Sequence, residues 1–544
     1  CWVKRASLFN GSVPQIILSA GDGSSNDFIM QFGQSDDTLR ISDYEGSTQS
    51  NLITTQLFRD VGSWYNFVLA YDTTQGTAAN RIKLYVNGSQ ITAFGTETYP
   101  SQNNDLVINS AIPHNIGRGA YSSNGYFDGY LAEINFIDGT AYDASYFGET
   151  NSKTGQWVPI ETSGLTFGNN GFYLEFKDSS FIGKSTHQAT GNEELIPQDA
   201  GTIIASSATG FSTSISFDNV TGTNYPTCNQ WRVDTVPDDG AWIGKNYGAD
   251  NTIVATGFKV YPTGDYGFDT WTTASSNAVY SLQLQGSNDG TNYTNIGSAT
   301  QINGASSATK TSGLSNSTAY RYVRLFITSV SYGGSRNYFA VSEVEFFGVG
   351  TYFNAQGITT ADQMTDTPTN NTCTLNPIQQ DATGLSDGNL QFTTSSTGTH
   401  KTASGTIAAT SGKYYCEVTC NATLGSNARI GIIPDDNVNF TGSNAHVGDD
   451  ANSFAYVDSG VKESNNTQSS YGASYANGDV IAMALNLDDN EITFFKDGAS
   501  QGAISITANT EYRFAASQYG SGGMAFNFGQ AAFAATPPTG FKAL

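Results

Sequence analysis

Two Gly-rich segments in the middle of the chain concentrate aromatic rings and carboxylates in a way that suits sugar binding. Aromatic faces stack on sugar rings, and carboxylates accept hydrogen bonds from sugar hydroxyls. The candidate ligand contacts in these segments, 261–271 and 331–338, are Asp265, Tyr266, Phe268, Trp271, Tyr332, Arg336 and Tyr338. The alternative is that these aromatic residues only plug the end of a β-sandwich.

Four aspartates near the start of the chain, Asp22, Asp27, Asp36 and Asp37, have the chemistry of a Ca²⁺ site. Ca²⁺ prefers oxygen ligands, and acidic turns at the rim of a sheet supply them. We therefore name Ca²⁺ as the candidate cofactor. Hydrophilic turns that hold no metal are the alternative explanation for the same residues.

The sequence lacks the pattern of a sugar-cleaving enzyme. Such enzymes use two carboxylates on one strand face, one as the acid and one as the nucleophile. Glu343 and Glu345 share a strand face by spacing, but a solvated strand face explains them better. No Gly-x-Ser-x-Gly element for a serine nucleophile is evident. We therefore predict a protein without catalytic residues.

Histidine and cysteine usage argues against a zinc site and against disulfides. The histidines have no zinc-type spacing, and each is predicted to lie in a surface loop. Cys416 and Cys420 would lie on one strand face at about 13 Å, too far apart to bridge, and are predicted to be small core residues. This usage fits folding in a reducing cytoplasm. The four histidines are His114, His187, His400 and His446.

The overall composition narrows the class of partner. A net charge of -24 argues against a nucleic-acid partner, because phosphate binding needs clustered Lys and Arg. No apolar stretch approaches the roughly 18 residues that span a bilayer, so no membrane insertion is predicted. Charged residues are only 13%, and the 59 glycines indicate strands and turns. This profile is typical of an extracellular or virion-surface protein.

Three strand-turn-strand units supply the framework for these residues. They centre on Asn87-Gly88, Asp289-Gly290 and Asp497-Gly498, each between alternating apolar runs. Asn-Gly and Asp-Gly are the strongest short-range hairpin signals, because these residues accept the positive φ values of a tight turn. The three units are far apart and belong to different modules. The predicted fold class is therefore all-β, with three tandem β-sandwich, jelly-roll-like domains.

The first module, residues 1–160, contains "GSWYNFVLAYD", "IKLYVNGSQI" and "FDGYLAEINFIDG" in that order. Together these blocks resemble a laminin-G-like, concanavalin A-like jelly roll. The last block and "YFGETNSKTGQWVPI" resemble the version found in tail proteins of marine bacteriophages. Residues 161–200 are predicted to be a connector that packs partly on this sandwich.

Two further sandwiches are predicted in the rest of the chain. In residues 201–350, "TGFKVYP" and "YSLQLQGSNDGTNYTNI" are similar to a discoidin, or coagulation factor C-type, domain with a galactose-binding-like fold. A linker at 351–365 follows. In residues 366–544, "GKYYCEVTC" and "GDVIAMALNLDDNEITFFKDG" resemble a SPRY domain, whose loops bind peptides or other ligands in known relatives. The closing "TPPTGFKAL" again resembles phage tail proteins.

These resemblances imply a non-enzymatic virion surface protein, a phage tail fibre or receptor-binding component. It would adhere to host-surface glycans or proteins through sandwich loops and assemble with other virion subunits, possibly as a homotrimer. The implied location is the tail or capsid surface, after folding in the host cytoplasm; an extracellular or cell-surface location is the alternative. The alternative functions are structural decoration of the capsid or tail, and a polysaccharide depolymerase.

Overall fold

The computed structural model of the chain confirms the all-β class. Its described part contains 38 β-strands, two short 3-10 helices (Ala78–Asn80 and Ala144–Tyr146) and no α-helix. No helix in this part is long and apolar enough to cross a membrane. The structure describes residues 1–8, 13–23, 25–33, 36–120, 125–162, 164–177, 182–183, 185, 193–196, 201–206, 217, 231–233, 236–237, 240–248, 252–262, 268, 279–303, 307–331, 339–349, 358, 362–379, 384–421, 424–436 and 445–544.

The first module is a sandwich of two antiparallel sheets. One has the order β11-β1-β6-β7-β8 and the other β10-β2-β3-β4-β5-β9. Phe28, Phe32, Phe67 and Leu84 fill the core between them, as expected where alternate residues of each strand face inward. The strands of residues 1–174 are β1 Trp2–Arg5, β2 Gln15–Gly21, β3 Asn26–Phe32, β4 Thr38–Glu45, β5 Thr48–Leu57, β6 Tyr65–Tyr71, β7 Ile82–Val86, β8 Ser89–Ile91, β9 Phe94–Thr98, β10 His114–Ile116, β11 Gly129–Ala132, β12 Ile134–Phe136, β13 Gly148–Thr150, β14 Trp157–Pro159 and β15 Phe172–Leu174.

The middle of the chain forms a second pair of sheets, with the orders β16-β27-β20-β24 and β17-β19-β25-β21-β22. Alternation along β25 sends Val323, Leu325 and Ile327 into the core, where each is 0% exposed. The strands are β16 Glu193–Leu195, β17 Thr202–Ala205, β18 Trp231–Val233, β19 Ala241–Asn246, β20 Ala255–Tyr261, β21 Val279–Ser287, β22 Thr294–Asn295, β23 Thr300–Asn303, β24 Thr309–Thr311, β25 Tyr322–Ser331, β26 Phe339–Val341 and β27 Glu343–Val349.

The last part of the chain is built around one long strand, β38. It pairs with β29, β30 and β31, and so connects the strands around the main apolar core of this part. Cys373, Cys416 and Cys420 are 0% exposed in this core and have free thiols, which confirms the prediction for the last two. The strands are β28 Leu385–Ser386, β29 Gln391–Ser404, β30 Lys413–Cys420, β31 Ser426–Pro434, β32 Phe454–Val457, β33 Val461–Ser464, β34 Thr467–Ser470, β35 Val480–Asn486, β36 Glu491–Lys496, β37 Ala499–Ser505 and β38 Tyr512–Asn527.

The predicted hairpins form at all three positions. Asn87-Gly88 and Asp497-Gly498 each make a two-residue turn, with φ of 46° and 82° in the first and 48° and 80° in the second. Two positive φ values in succession are the signature of a turn whose twist matches that of the flanking strands. Asp289-Gly290 lies in a longer connection between β21 and β22. The two strands pair on either side of it, with Gln285 of β21 opposite Asn295 of β22.

The described chain divides into two compact units. The first unit comprises Cys1–Ala132, Ala141–Thr162 and Met364–Leu544, and the second comprises Glu133–Thr140 and Ser163–Gln363. The first unit thus combines strands from the first module with strands from the end of the chain. Most of the predicted linker 351–365 and much of the connector 161–200 lie outside the described residues.

A buried ion pair holds the two parts of the first unit together. Nζ of Lys4 on β1 donates to Asp366 Oδ2 at 2.8 Å, to Asn371 Oδ1 at 2.8 Å and to the Thr372 carbonyl at 2.7 Å. Nε1 of Trp64 donates to the other oxygen of Asp366 at 2.9 Å. Both charged side chains are 0% exposed. A buried charge pair is tolerated when its remaining donors and acceptors are satisfied, as they are here for the ammonium group.

Candidate functional site

The turns at one end of the six-stranded sheet of the first module come together. Because β3 and β4 are antiparallel, with Asn26 opposite Glu45, the β2–β3 and β4–β5 turns lie at the same end. The amide of Gly46 donates to the Ser25 carbonyl at 2.8 Å and links the two turns. We call this surface the acidic rim and define it by Asp22, Asp27, Asp43, Tyr44 and Glu45.

Asp43 forms the floor of the acidic rim. Its side chain points toward the core and is 0% exposed, and its Oδ2 accepts hydrogen bonds from the amides of Val107 at 3.1 Å and Ile108 at 3.5 Å. Burial raises the pKa of Asp43 to about 6, against the opposing effect of these two bonds. The nearby charges of Glu45 and Asp27 raise it as well. The rim therefore holds a carboxylate that is poorly compensated at neutral pH.

The outer part of the acidic rim is open to solvent. Tyr44 is 43% exposed, and its hydroxyl donates to the Gly46 carbonyl at 3.0 Å, which fixes the ring beside the turn. The carboxylate of Asp22 accepts from the side-chain amide of Asn26 at 2.7 Å and from two backbone amides of its own turn. Glu45 is exposed next to Tyr44. An aromatic face beside carboxylate acceptors is suited to a sugar ring and its hydroxyl groups.

The structure separates the four predicted metal ligands into two pairs. Asp22 and Asp27 lie at the acidic rim. Asp36 and Asp37 lie at the opposite end of β3 and β4, in the connection that follows Phe32 and precedes its partner Leu39. In the described part of the chain, no group of three or more His, Cys, Asp or Glu side chains is arranged to hold a metal ion. The Ca²⁺ site stays a prediction.

Asp36 and Asp37 are paired with arginines instead. Asp36 Oδ2 lies 3.1 Å from the guanidinium of Arg40. Asp37 lies 3.0 Å from Arg5 and 3.1 Å from Arg59. The side chain of Arg5 is 1% exposed, so its pair with Asp37 replaces the water that the guanidinium lost on folding. These contacts give the two aspartates a structural explanation.

Of the predicted ligand contacts in the second module, only Phe268 lies within the described residues. Phe268 is 0% exposed and stacks on Phe339, with 5.7 Å between ring centroids and 5° between ring planes. A ring packed in this way is a core residue and is not accessible to a ligand, which corrects the expectation for Phe268. The other six candidates, Asp265, Tyr266, Trp271, Tyr332, Arg336 and Tyr338, lie outside the described residues.

The two glutamates of β27 also differ from the expectation of a solvated face. Glu343 is 0% exposed, and Oε1 of Glu345 accepts a hydrogen bond from the Tyr261 hydroxyl at 3.1 Å. Their spacing of two residues places both side chains on one face of the strand, but it does not show whether another element covers that face.

Two histidines lie inside the last module, where the sequence predicted surface loops. His400 and His446 are 8% and 6% exposed, with ring centroids 4.7 Å apart. Glu463 joins them: its Oε1 lies 3.1 Å from His446 Nε2 and its Oε2 accepts from Arg429 Nε at 2.8 Å. We call these four residues the histidine cluster. His187 lies outside the described residues, and His114 is half-buried on β10.

Two residues of the histidine cluster have lowered pKa values. Burial, followed by the charges of Arg429 and His446, lowers the pKa of His400 to about 4. Burial raises the pKa of Glu463, but hydrogen bonds from its neighbours, His446 and Arg429 among them, outweigh it and bring the value to about 2. At neutral pH the cluster therefore holds a neutral His400 beside an ionised Glu463.

Two family models match parts of the chain. One, described as the concanavalin A-like lectin/glucanases superfamily and of laminin G type, matches residues 1–144. The other is the SPRY domain, which matches residues 413–531. These matches confirm the concanavalin A-like and SPRY resemblances. Lectin-like and SPRY domains together suggest a role in binding.

A solved structure titled "Stonustoxin structure" is also similar in part. It is 16% identical over the matched region, which covers 29% of this chain and 27% of that chain, with a TM-score of 0.24. The match therefore spans about a quarter of that chain and carries no argument about function.

Proposed function

We propose that the protein is a non-enzymatic adhesion protein of a virion surface, a bacteriophage tail-fibre or receptor-binding component, whose acidic rim binds glycans of the host surface. The observation that carries this proposal is the exposed Tyr44 ring at the end of the sheet where Asp27 lies opposite it on β3 and where Asp22 is exposed. These residues lie within the part of the chain that matches the lectin-like family.

The burial of Asp43 supports binding over cleavage at the acidic rim. A general acid in a glycan-cleaving enzyme needs a raised pKa and must also reach the glycosidic oxygen. Asp43 has the raised pKa, but its side chain is 0% exposed behind the amides of Val107 and Ile108. It meets the first requirement and not the second.

The virion part of the proposal rests on the resemblance of sequence blocks in the first and last modules to phage tail proteins. The discoidin-like assignment of residues 201–350 rests on sequence resemblance in the same way. Assembly as a homo-oligomer with other virion subunits would serve adhesion, because sites with millimolar affinity gain about 100-fold or more in avidity when several are tethered to one particle. The partner is a host-surface glycan or a glycan-bearing protein.

The test is a glycan array probed with the labelled protein and with two tyrosine variants. Tyr44→Ala removes the ring of the acidic rim, which is 43% exposed, and Tyr146→Ala removes a ring of similar exposure, 45%, elsewhere in the same module. We expect Tyr44→Ala to lose about tenfold in affinity, the value of one stacking contact, and Tyr146→Ala to retain binding.

Three outcomes would contradict the proposal. The protein could bind no glycan, the two variants could behave alike, or the bound glycan could release shorter oligosaccharides, which would indicate a depolymerase. Virion attachment is tested separately by immunogold labelling of particles from the producing culture, where unlabelled particles would count against the tail-fibre assignment.

A further inference from the structure

The outer face of one sheet in the second unit carries an unusual set of side chains. Alternation along β25 sends Tyr322, Arg324 and Phe326 to the side opposite the core, and each is half-buried. Trp242 on β19 lies opposite Phe326, and Gln285 on β21 lies opposite Arg324. We call this surface the arginine face and define it by Trp242, Tyr293, Arg321, Tyr322, Arg324 and Phe326.

Arg324 lies at the centre of the arginine face and is held by aromatic rings. Its guanidinium carbon is 3.5 Å from the ring centroid of Tyr293, 5.1 Å from that of Trp242 and 5.3 Å from that of Phe326. These distances are within the range of cation–π attraction. The rings therefore restrict the guanidinium to one position on the sheet.

A hydrogen-bond relay fixes the orientation of Arg324. Its Nε donates to Gln285 Oε1 at 2.9 Å, and Gln285 Nε2 donates to Asn295 Oδ1 at 2.8 Å. Gly244 lies across from Arg324, and a Cβ at that position would be 2.7 Å from the Arg324 Cβ. A side chain at position 244 would therefore collide with Arg324. A guanidinium already held in place loses little conformational entropy when it binds a ligand.

The two arginines of this face have neutral hydrogen-bond partners in an acidic chain. Acidic residues outnumber Lys and Arg by 48 to 24, yet within the described ranges neither Arg321 nor Arg324 contacts a carboxylate. Arg321 Nε donates to the neutral Asn246 Oδ1 at 3.1 Å, and Arg324 donates to the neutral Gln285. Several other arginines in the described chain do pair with acids: Arg5 with Asp37, Arg429 with Glu463, and Arg513 with Asp435.

We propose that the arginine face binds an acidic polysaccharide through a sugar that bears a carboxylate. The terminal amino groups of Arg324 would pair with that carboxylate, because the planar guanidinium matches its geometry with two parallel hydrogen bonds. The half-buried rings of Trp242 and Phe326 would stack on the sugar ring. This site is separate from the acidic rim, and neither depends on the other.

Rings around an arginine can also serve only to stabilise a sheet, so the test measures binding and folding separately. The probes are a hexamer of galacturonate, its methyl ester and a neutral galactan hexamer, each titrated by calorimetry. The variants are Arg324→Gln, Arg324→Lys, Trp242→Ala and the control Lys259→Gln. Lys259 is a cation 4.3 Å from the Tyr261 ring on the other sheet of the same unit.

We expect the galacturonate hexamer to bind the unchanged protein and the methyl ester to bind far more weakly. Arg324→Gln should lose about 10- to 100-fold in affinity for the acid, the value of hydrogen bonds to a charged group. Arg324→Lys should recover part of that affinity. Trp242→Ala should weaken the binding of both the acid and its methyl ester. Lys259→Gln should bind as the unchanged protein does. Circular dichroism melts identify any variant that fails to fold.

The proposal is overturned if the acid and its ester bind equally, if folded Arg324→Gln retains full affinity, or if no carboxylated sugar binds. Tight binding of poly-glutamate that equals that of galacturonate would assign the face to acidic proteins and would also overturn it. Tyr44→Ala should leave galacturonate binding unchanged, which keeps this result independent of the proposed function of the acidic rim.

Discussion

The buried carboxyl of Asp43 makes a prediction about how stability depends on pH. Its pKa is about 6 in the folded protein, against an ordinary value of 3.8. Below pH 3.8 the group is protonated in both states and has no effect. As the pH rises from 3.8 through 6, the unfolded chain releases the proton first, so folding stability falls by about 3 kcal/mol. Above pH 6 the loss is complete.

Asp43→Asn removes this dependence because the amide does not titrate. The variant also alters the hydrogen bonds from Val107 and Ile108, but that effect is the same at every pH. We therefore expect the stability of Asp43→Asn relative to the unchanged protein to rise by about 3 kcal/mol between pH 3.5 and pH 7.5. Comparing the two proteins at each pH cancels the contribution of every other titrating group.

The assay is urea unfolding read by pulsed hydrogen exchange and mass spectrometry, with peptides that span residues 38–45 as the reporter for this module. Asp105→Asn is the control, since it removes an exposed carboxylate close to Val107. A gain below about 1 kcal/mol for Asp43→Asn would refute the reasoning from burial. So would an equal gain for Asp105→Asn, because the effect would then reflect the general acidity of the chain.

Three further predictions concern other parts of the molecule. Gly88→Ala should lower the free energy of unfolding in urea by about 1–3 kcal/mol more than Gly498→Ala does. Both glycines have φ near 80°, but a Cβ at Gly88 would lie 2.6 Å from an indole ring, whereas at Gly498 the nearest atom is 3.6 Å away. Equal costs would contradict this prediction. Lys4→Ala should lower the free energy of unfolding by about 3–5 kcal/mol. The double variant Lys4→Met with Asp366→Leu should lower it much less, since it leaves no unpaired buried charge. A double variant as unstable as Lys4→Ala would be evidence against this prediction. The last module should lose about 3 kcal/mol of folding stability as the pH falls from 6.5 toward 4, because the lowered pKa of His400 makes the unfolded chain bind the proton first. His400→Gln should abolish this loss. An unchanged dependence of stability on pH, measured by the same exchange method, would rule this out.

The local parts of the fold could be predicted because their causes are local. Asn87-Gly88 and Asp497-Gly498 form tight turns since the two residues themselves accept positive φ. Alternation of apolar residues likewise places strands without reference to the rest of the chain. The all-β class follows from such signals, whereas the two matched domain types follow from the resemblance of sequence blocks to known families.

The parts that could not be predicted depend on contacts between distant residues. Lys4 and Asp366 are 362 positions apart, and neither has a local pattern that identifies the other. The local sequence around Asp43 does not mark it as buried, because its carboxylate is bonded by the amides of Val107 and Ile108, 64 and 65 positions away. The acidity of Asp36 and Asp37 predicts metal ligands, and sequence spacing does not show the arginines that neutralise them.

The acidic rim and the arginine face should differ in their response to a chelator. The rim combines Asp22, Asp27 and Glu45 with a buried carboxylate, so a carboxylated sugar is repelled there unless a divalent cation lies between the two acids. The arginine face supplies the positive charge itself through Arg324. We therefore expect a chelator to remove any binding of acidic glycans that Tyr44→Ala also removes, and to leave binding that requires Arg324 unchanged. Glycan arrays of the two variants with and without chelator measure this, and loss of the Arg324-dependent signal on chelation would show that the arginine face also needs a metal ion.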